Sequence, residues 1–72
     1  MKRLDLHGKS YQDSKQLVEV FIENNIDNLP IQIITGNSVD MQAIVKKTAV
    51  KHNLKISPKT YYNLGCLIIS DN

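Results

Sequence analysis

Leu4-Asp5-Leu6-His7-Gly8 alternates apolar and polar residues and then stops at a glycine. The period of two predicts a short strand over Arg3 to His7, with Leu4 and Leu6 on one side and Arg3, Asp5 and His7 on the other. Gly8-Lys9 reads as a turn. Ser10 then opens a helix, and Asp13 three residues later makes a capping-box-like pair with it. From Tyr11 to Asn25, the residues Tyr11, Leu17, Val18, Phe21 and Ile22 gather on one arc. Gln12, Gln16, Glu19 and Glu23 fill the opposite arc, and Val20 falls at the margin. Pro30 keeps this helix from continuing.

Ile31-Gln32-Ile33-Ile34-Thr35, rich in β-branched residues, predicts a second strand that leaves through Gly36-Asn37-Ser38. A second helix follows from Asp40 to Asn53, with Met41, Ile44, Val45, Thr48, Ala49 and His52 as its inward stripe. In that stripe Met41 reads as core filler and His52 as a packed or C-capping residue. Leu54–Ser57 and Thr60–Tyr62 are weaker strand signals, interrupted by Pro58-Lys59. Asn63-Leu64-Gly65 reads as a turn, and Cys66–Ser70 as a final strand. The order is β-α-β-α-β-β in one domain over residues 1–72. A β-α-β unit implies a parallel pair, and the last two strands read as a hairpin, so the sheet is mixed. Two helices cannot cover both faces of such a sheet. The expected fold class is therefore α/β, a two-layer sandwich with a small mixed sheet and both helices on one face. Leu4 and Leu6 must then face the helices, leaving Asp5 and His7 to project outward together, about 7 Å apart by strand rise.

Composition narrows the function classes. A hydrophobic content of 42% argues against a disordered tail. The one cysteine, Cys66, cannot staple a fold, which points to a reducing compartment, the cytoplasm. No signal peptide is legible, and no apolar run is long enough to span a bilayer, so no membrane association is expected. The net charge of +2 is unevenly spread. Up to Asp40, Lys2, Arg3, Lys9 and Lys15 face six acidic residues. After it, Lys46, Lys47, Lys51, Lys55 and Lys59 face Asp71 alone. Such asymmetry permits a side that faces a polyanion, although lysines of this kind are most often a solvated face.

Leu4-Asp5-Leu6-His7-Gly8, an amphipathic helix and then Ile33-Ile34-Thr35-Gly36 together resemble the small MutS-related (Smr) domain. That family carries an LDLHG box after its first strand and a TGxG box after its second. Its fold is similar to the C-terminal domain of translation initiation factor 3. The likeness covers nearly the whole chain. The first box matches in full, and the second in Thr35 and Gly36, with Ser38 standing where the family has its second glycine. The family's glycine-rich segment before the last strand is reduced to Gly65. Smr domains often end larger proteins, whereas this chain starts at Met1 and stops soon after its last strand, so a free-standing small protein is expected.

The resemblance implies interaction with DNA or RNA, either as a structure-preferring, sequence-nonspecific endonuclease or as a non-catalytic binding module. A third reading is a domain that docks on a protein partner, or on a second copy, through the open sheet face. For phosphodiester cleavage, His7 is the candidate general acid or base. Asp5 would orient the imidazole or hold a divalent cation, magnesium or manganese, that polarises a phosphoryl oxygen. Gly8, Lys9, Thr35, Gly36, Asn37 and Ser38 are the candidate phosphate-binding residues, with Arg3 and Lys2 flanking them. Ser38 adds a Cβ where glycine would let backbone amides approach a phosphate, but its hydroxyl can cap the second helix. Asp40 at the same end weakens the hold on an anion. An aspartate and a histidine do not complete a metal site, so no structural metal is expected. Tyr61 and Tyr62 alternate sides, so one can pack inward while the other offers a stacking surface for a base, with packing alone as the leading reading.

Overall fold

A computed structural model describes residues 1–60 and 63–71. It contains β1 (Arg3–Asp5), α1 (Tyr11–Asn24), β2 (Ile31–Ile34), α2 (Val39–Lys51), β3 (Lys55–Thr60) and β4 (Asn63–Ser70), with a 3₁₀ turn at Ile26–Asn28. The strands form one sheet in the order β1-β2-β4-β3. β1 pairs parallel to β2, while β4 runs antiparallel to both β2 and β3. The mixed α/β sheet expected from the alternation of strand and helix signals is what forms.

Sheet register sorts the side chains into two faces. Ile33 lies beside Leu4 on one neighbour and Leu67 on the other, and Ile31 lies beside Ile69. Ile31, Ile33, Leu67 and Ile69 are buried with Val18 and Ile22 of α1, Ile44, Val45 and Ala49 of α2, and Leu6. Both helices therefore cover one face. Each fully buried aliphatic side chain contributes about 1.5–3 kcal/mol through removal of its surface from water, in a domain too small to hold a second core. The opposite face carries Arg3, Asp5, Gln32, Ile34, Cys66 and Ile68. There Gln32 Nε2 donates to Cys66 Sγ at 2.7 Å.

Several local expectations are corrected. β1 ends at Asp5, so His7 sits in a turn rather than on the strand. The stripe that α1 buries is Ser14-Val18-Ile22, spaced by four. Tyr11 and Leu17, expected inside, are 48% and 36% exposed. The Lys15 ammonium lies over the Tyr11 ring, 5.7 Å from its centroid. Hydropathy ranks Tyr11 and Leu17 above Ser14, but angular position on the helix selects the small serine. Pro58 does not interrupt β3. That strand lies at the sheet edge, where a missing N–H is tolerated, and its register shifts between Pro58 and Thr60. Asn63-Leu64-Gly65 belongs to β4 rather than to a turn. The roles expected of Tyr61 and Tyr62 fall outside the described residues.

α2 buries Ile44, Val45 and Ala49, as its periodicity predicts. It ends at His52, the C-cap, and Asn53 follows in the left-handed region (φ 59°). Polar contacts then tie this end to α1. Lys51 Nζ donates to Glu19 Oε1 at 2.7 Å, and His52 Nε2 lies 3.4 Å from Glu19 Oε2. The Lys51 hydrogen bond holds the Glu19 carboxyl below the usual carboxylate range. A carboxylate depressed in the folded state stabilises the fold above its unfolded pKa, and that contribution is lost as pH falls through the folded value. Lys51 is raised by the same bond, so its share persists below its unfolded pKa and is lost only in strong alkali. Solvent screening keeps the effect small. Thermal unfolding of wild type and Glu19→Gln is therefore expected to diverge near neutrality and converge as the solution is acidified below the ordinary glutamate pKa. Parallel acid limbs would show that the ion pair does not persist in solution.

Candidate functional site

Because β1 and β2 are parallel neighbours, their carboxyl ends open on the same edge of the sheet. The Leu6 N–H donates to Ile34 O at 2.9 Å, which pins the two exits side by side. At the first exit, Leu6 to Lys9 forms a β-turn closed by Lys9 N–H to Leu6 O at 3.0 Å. Gly8 sits in it at φ 76°, a conformation that glycine adopts without Cβ strain. The Asp5 carboxylate turns back to the main chain: its Oδ1 accepts the His7 N–H at 2.9 Å. Asp5 thus shapes the turn and holds the backbone of His7, not its ring, which corrects the side-by-side arrangement on a strand. His7 is exposed. Ser10 caps α1 by accepting the Asp13 N–H at 3.1 Å.

At the second exit, the Thr35 and Gly36 N–H groups both donate to Gly65 O, at 2.8 and 3.0 Å. Gly36 lies at φ 63°. An alanine Cβ at Gly65 would stand 2.8 Å from Gly36 O, so the main chains of β4 and the exit loop touch. Thr35 is buried, and its hydroxyl lies 3.2 Å from Gly36 O and 3.3 Å from Gly65 O. That hydroxyl serves the loop, which removes Thr35 from the groups that can reach a ligand. Ser38 is the N-cap of α2, its Oγ accepting the Met41 N–H at 3.2 Å. Gln42 Nε2 reaches back to Gly36 O at 3.1 Å. Asn37 and Gly36 are exposed at the loop tip.

The edge therefore gathers the His7-Gly8-Lys9 turn, the Gly36-Asn37-Ser38 loop and the amino ends of both helices. Aligned peptide dipoles and unpaired first-turn N–H groups make such ends favourable to anions. Lys9 adds a positive charge, whereas Asp13 and Asp40 in the two first turns oppose it. Arg3 shares the outer sheet face with Asp5 two residues away. Lys2 is not brought to this edge. It precedes β1 at the opposite end, roughly 10 Å from Asp5 by strand rise. Comparison with known protein families and with curated proteins finds no match to this chain.

Proposed function

We propose that this chain is a nucleic-acid-interacting domain of Smr type that engages the phosphodiester backbone at the shared edge of β1 and β2. The observation that carries the reading is convergence. The two segments that resemble the family's boxes are 28 residues apart in sequence, from Gly8 to Gly36, yet leave adjacent parallel strands on one edge. Backbone amides at the two helix starts, with Lys9, would hold phosphate oxygens without reading bases, which makes binding sequence-nonspecific and salt-sensitive. In the catalytic form of this reading, His7 moves the proton in phosphodiester hydrolysis. The Asp5 oxygen not bonded to the His7 amide is free to hold a magnesium or manganese ion. The lone Cys66 fits a cytoplasmic setting, and no helix among the described residues is long and apolar enough to cross a membrane.

A second reading, binding without cleavage, draws support from one detail. The Asp5 carboxylate is engaged by the main-chain N–H of His7 instead of orienting its ring. One experiment separates the two. Wild type and His7→Ala are compared on labelled single-stranded, duplex and branched DNA and RNA, with and without magnesium or manganese. A nuclease is expected to lose cleavage by about 100-fold or more in His7→Ala while keeping its binding. Binding with a steep salt dependence but no cleavage by wild type identifies the binding module. No affinity for any nucleic acid sinks both, and leaves docking on a protein through the outer sheet face.

A further inference from the structure

The tertiary fold assembles a second group of ligating side chains away from this edge. Glu19 and Glu23 are four residues apart, so they lie on one face of α1. His52, the C-cap of α2, comes to the same place from 33 residues further along the chain than Glu19. One ligand atom from each of the three lies within 4.8 Å of the others. We propose that Glu19, Glu23 and His52 form a binding site for a divalent transition-metal ion, with zinc as the ion of choice.

Three observations support the assignment. The first is chemical: one imidazole and two carboxylates are a donor set that zinc accepts, with solvent completing four-coordination. The second is geometric. Two ligands at about 2.1 Å from a tetrahedral ion stand about 3.4 Å apart. The Glu19 Oε2 to His52 Nε2 separation is 3.4 Å, long for a charge-assisted hydrogen bond but suited to a shared ion. Glu23 is exposed and can close its remaining gap by a change of rotamer. The third is the division of labour on Glu19. Lys51 engages Oε1 and holds the carboxyl below the usual carboxylate range, while Oε2 is the oxygen that faces His52 Nε2. The His52 ring is 22% exposed, so it is held in place yet open to solvent on one side.

Glu19 and Glu23 lie about 12 and 18 Å along α1 from its first residue, and that first turn is where the β1–β2 edge lies. The ion would therefore clip α1 to the end of α2 without touching the nucleic-acid edge, and the inference holds whichever reading of that edge is right. Its expected effect is a rise in thermal stability on zinc addition, because a ligand that binds only the folded state stabilises it.

The test uses the tag-free full chain in metal-depleted buffer. Zinc is titrated by calorimetry, and cobalt by visible absorption. The ¹⁵N resonances of both imidazoles are followed in the zinc titration. Wild type is expected to bind one equivalent, with a large shift of the His52 ring nitrogens and none of the His7 ring. Affinity should fall by about 10-fold or more in both His52→Ala and Glu23→Gln. Glu23→Gln changes an exposed side chain, so it tests the site even if His52→Ala loosens the helix end. The proposal is overturned if wild type shows no saturable single-equivalent binding. It is equally overturned if the His7 resonances respond in place of those of His52, or if folded Glu23→Gln binds as tightly as wild type.

Discussion

Gly65→Ala is expected to lower the melting temperature by roughly 12–24 °C, from a loss of about 3 kcal/mol. The added methyl would meet Gly36 O at 2.8 Å, Gly36 C at 3.0 Å and Gly36 Cα at 3.1 Å, all of them main-chain atoms. No rotamer can relieve that contact. Either β4 or the exit loop of β2 must move, and three donors converge on the Gly65 carbonyl, the N–H groups of Thr35 and Gly36 and the Thr35 hydroxyl. Gly8→Ala is the natural comparison. A Cβ at Gly8 meets nothing within 4 Å, so only its φ of 76° is penalised. The expected loss there is about 1–2 kcal/mol. Thermal unfolding of the two variants beside wild type checks the ranking. Equal losses would mean that the main chains at Gly36 and Gly65 do not touch in solution.

Ile33→Ala is expected to cost about 4 kcal/mol, enough to bring a chain of this length close to unfolding. Ile33 has no exposed surface and sits between Leu4 and Leu67 on the face that both helices cover. Truncation removes buried methyl groups and leaves a cavity that the surrounding strands cannot collapse around. Ile34, one residue on, points to the other face and is half-buried. Its replacement by alanine is expected to cost roughly 1–2 kcal/mol. Urea denaturation of both variants measures the contrast between the two sheet faces. If Ile34→Ala proves as damaging as Ile33→Ala, the outer face is covered in solution by something these elements do not provide.

Local patterns made much of this molecule readable. The β-branched run at Ile31–Ile34 formed a strand because its alternation puts Ile31 and Ile33 on one face. Ser10 and Ser38 became helix caps because a short hydroxyl side chain can take the orphan N–H three residues on. Gly8 and Gly36 took positive φ because each lies where the chain must turn sharply out of a strand. Other features were hidden for a physical reason. His7 left the strand because the Asp5 carboxylate captured its N–H, a competition that periodicity does not register. Ser14 was overlooked because burial there follows from where α1 meets its neighbours, not from hydropathy. Thr35 is a candidate phosphate ligand by sequence, and folding turns its hydroxyl onto loop carbonyls.

Element order, sheet type and the two strand-exit glycines were thus settled within short windows of chain, where spacing and backbone conformation act. Which residues meet across those windows was settled only by packing. Gly65 against Gly36 and His52 against Glu19 and Glu23 are contacts between segments about 30 residues apart. They exist because burying one apolar face of the sheet under two helices brings those segments together.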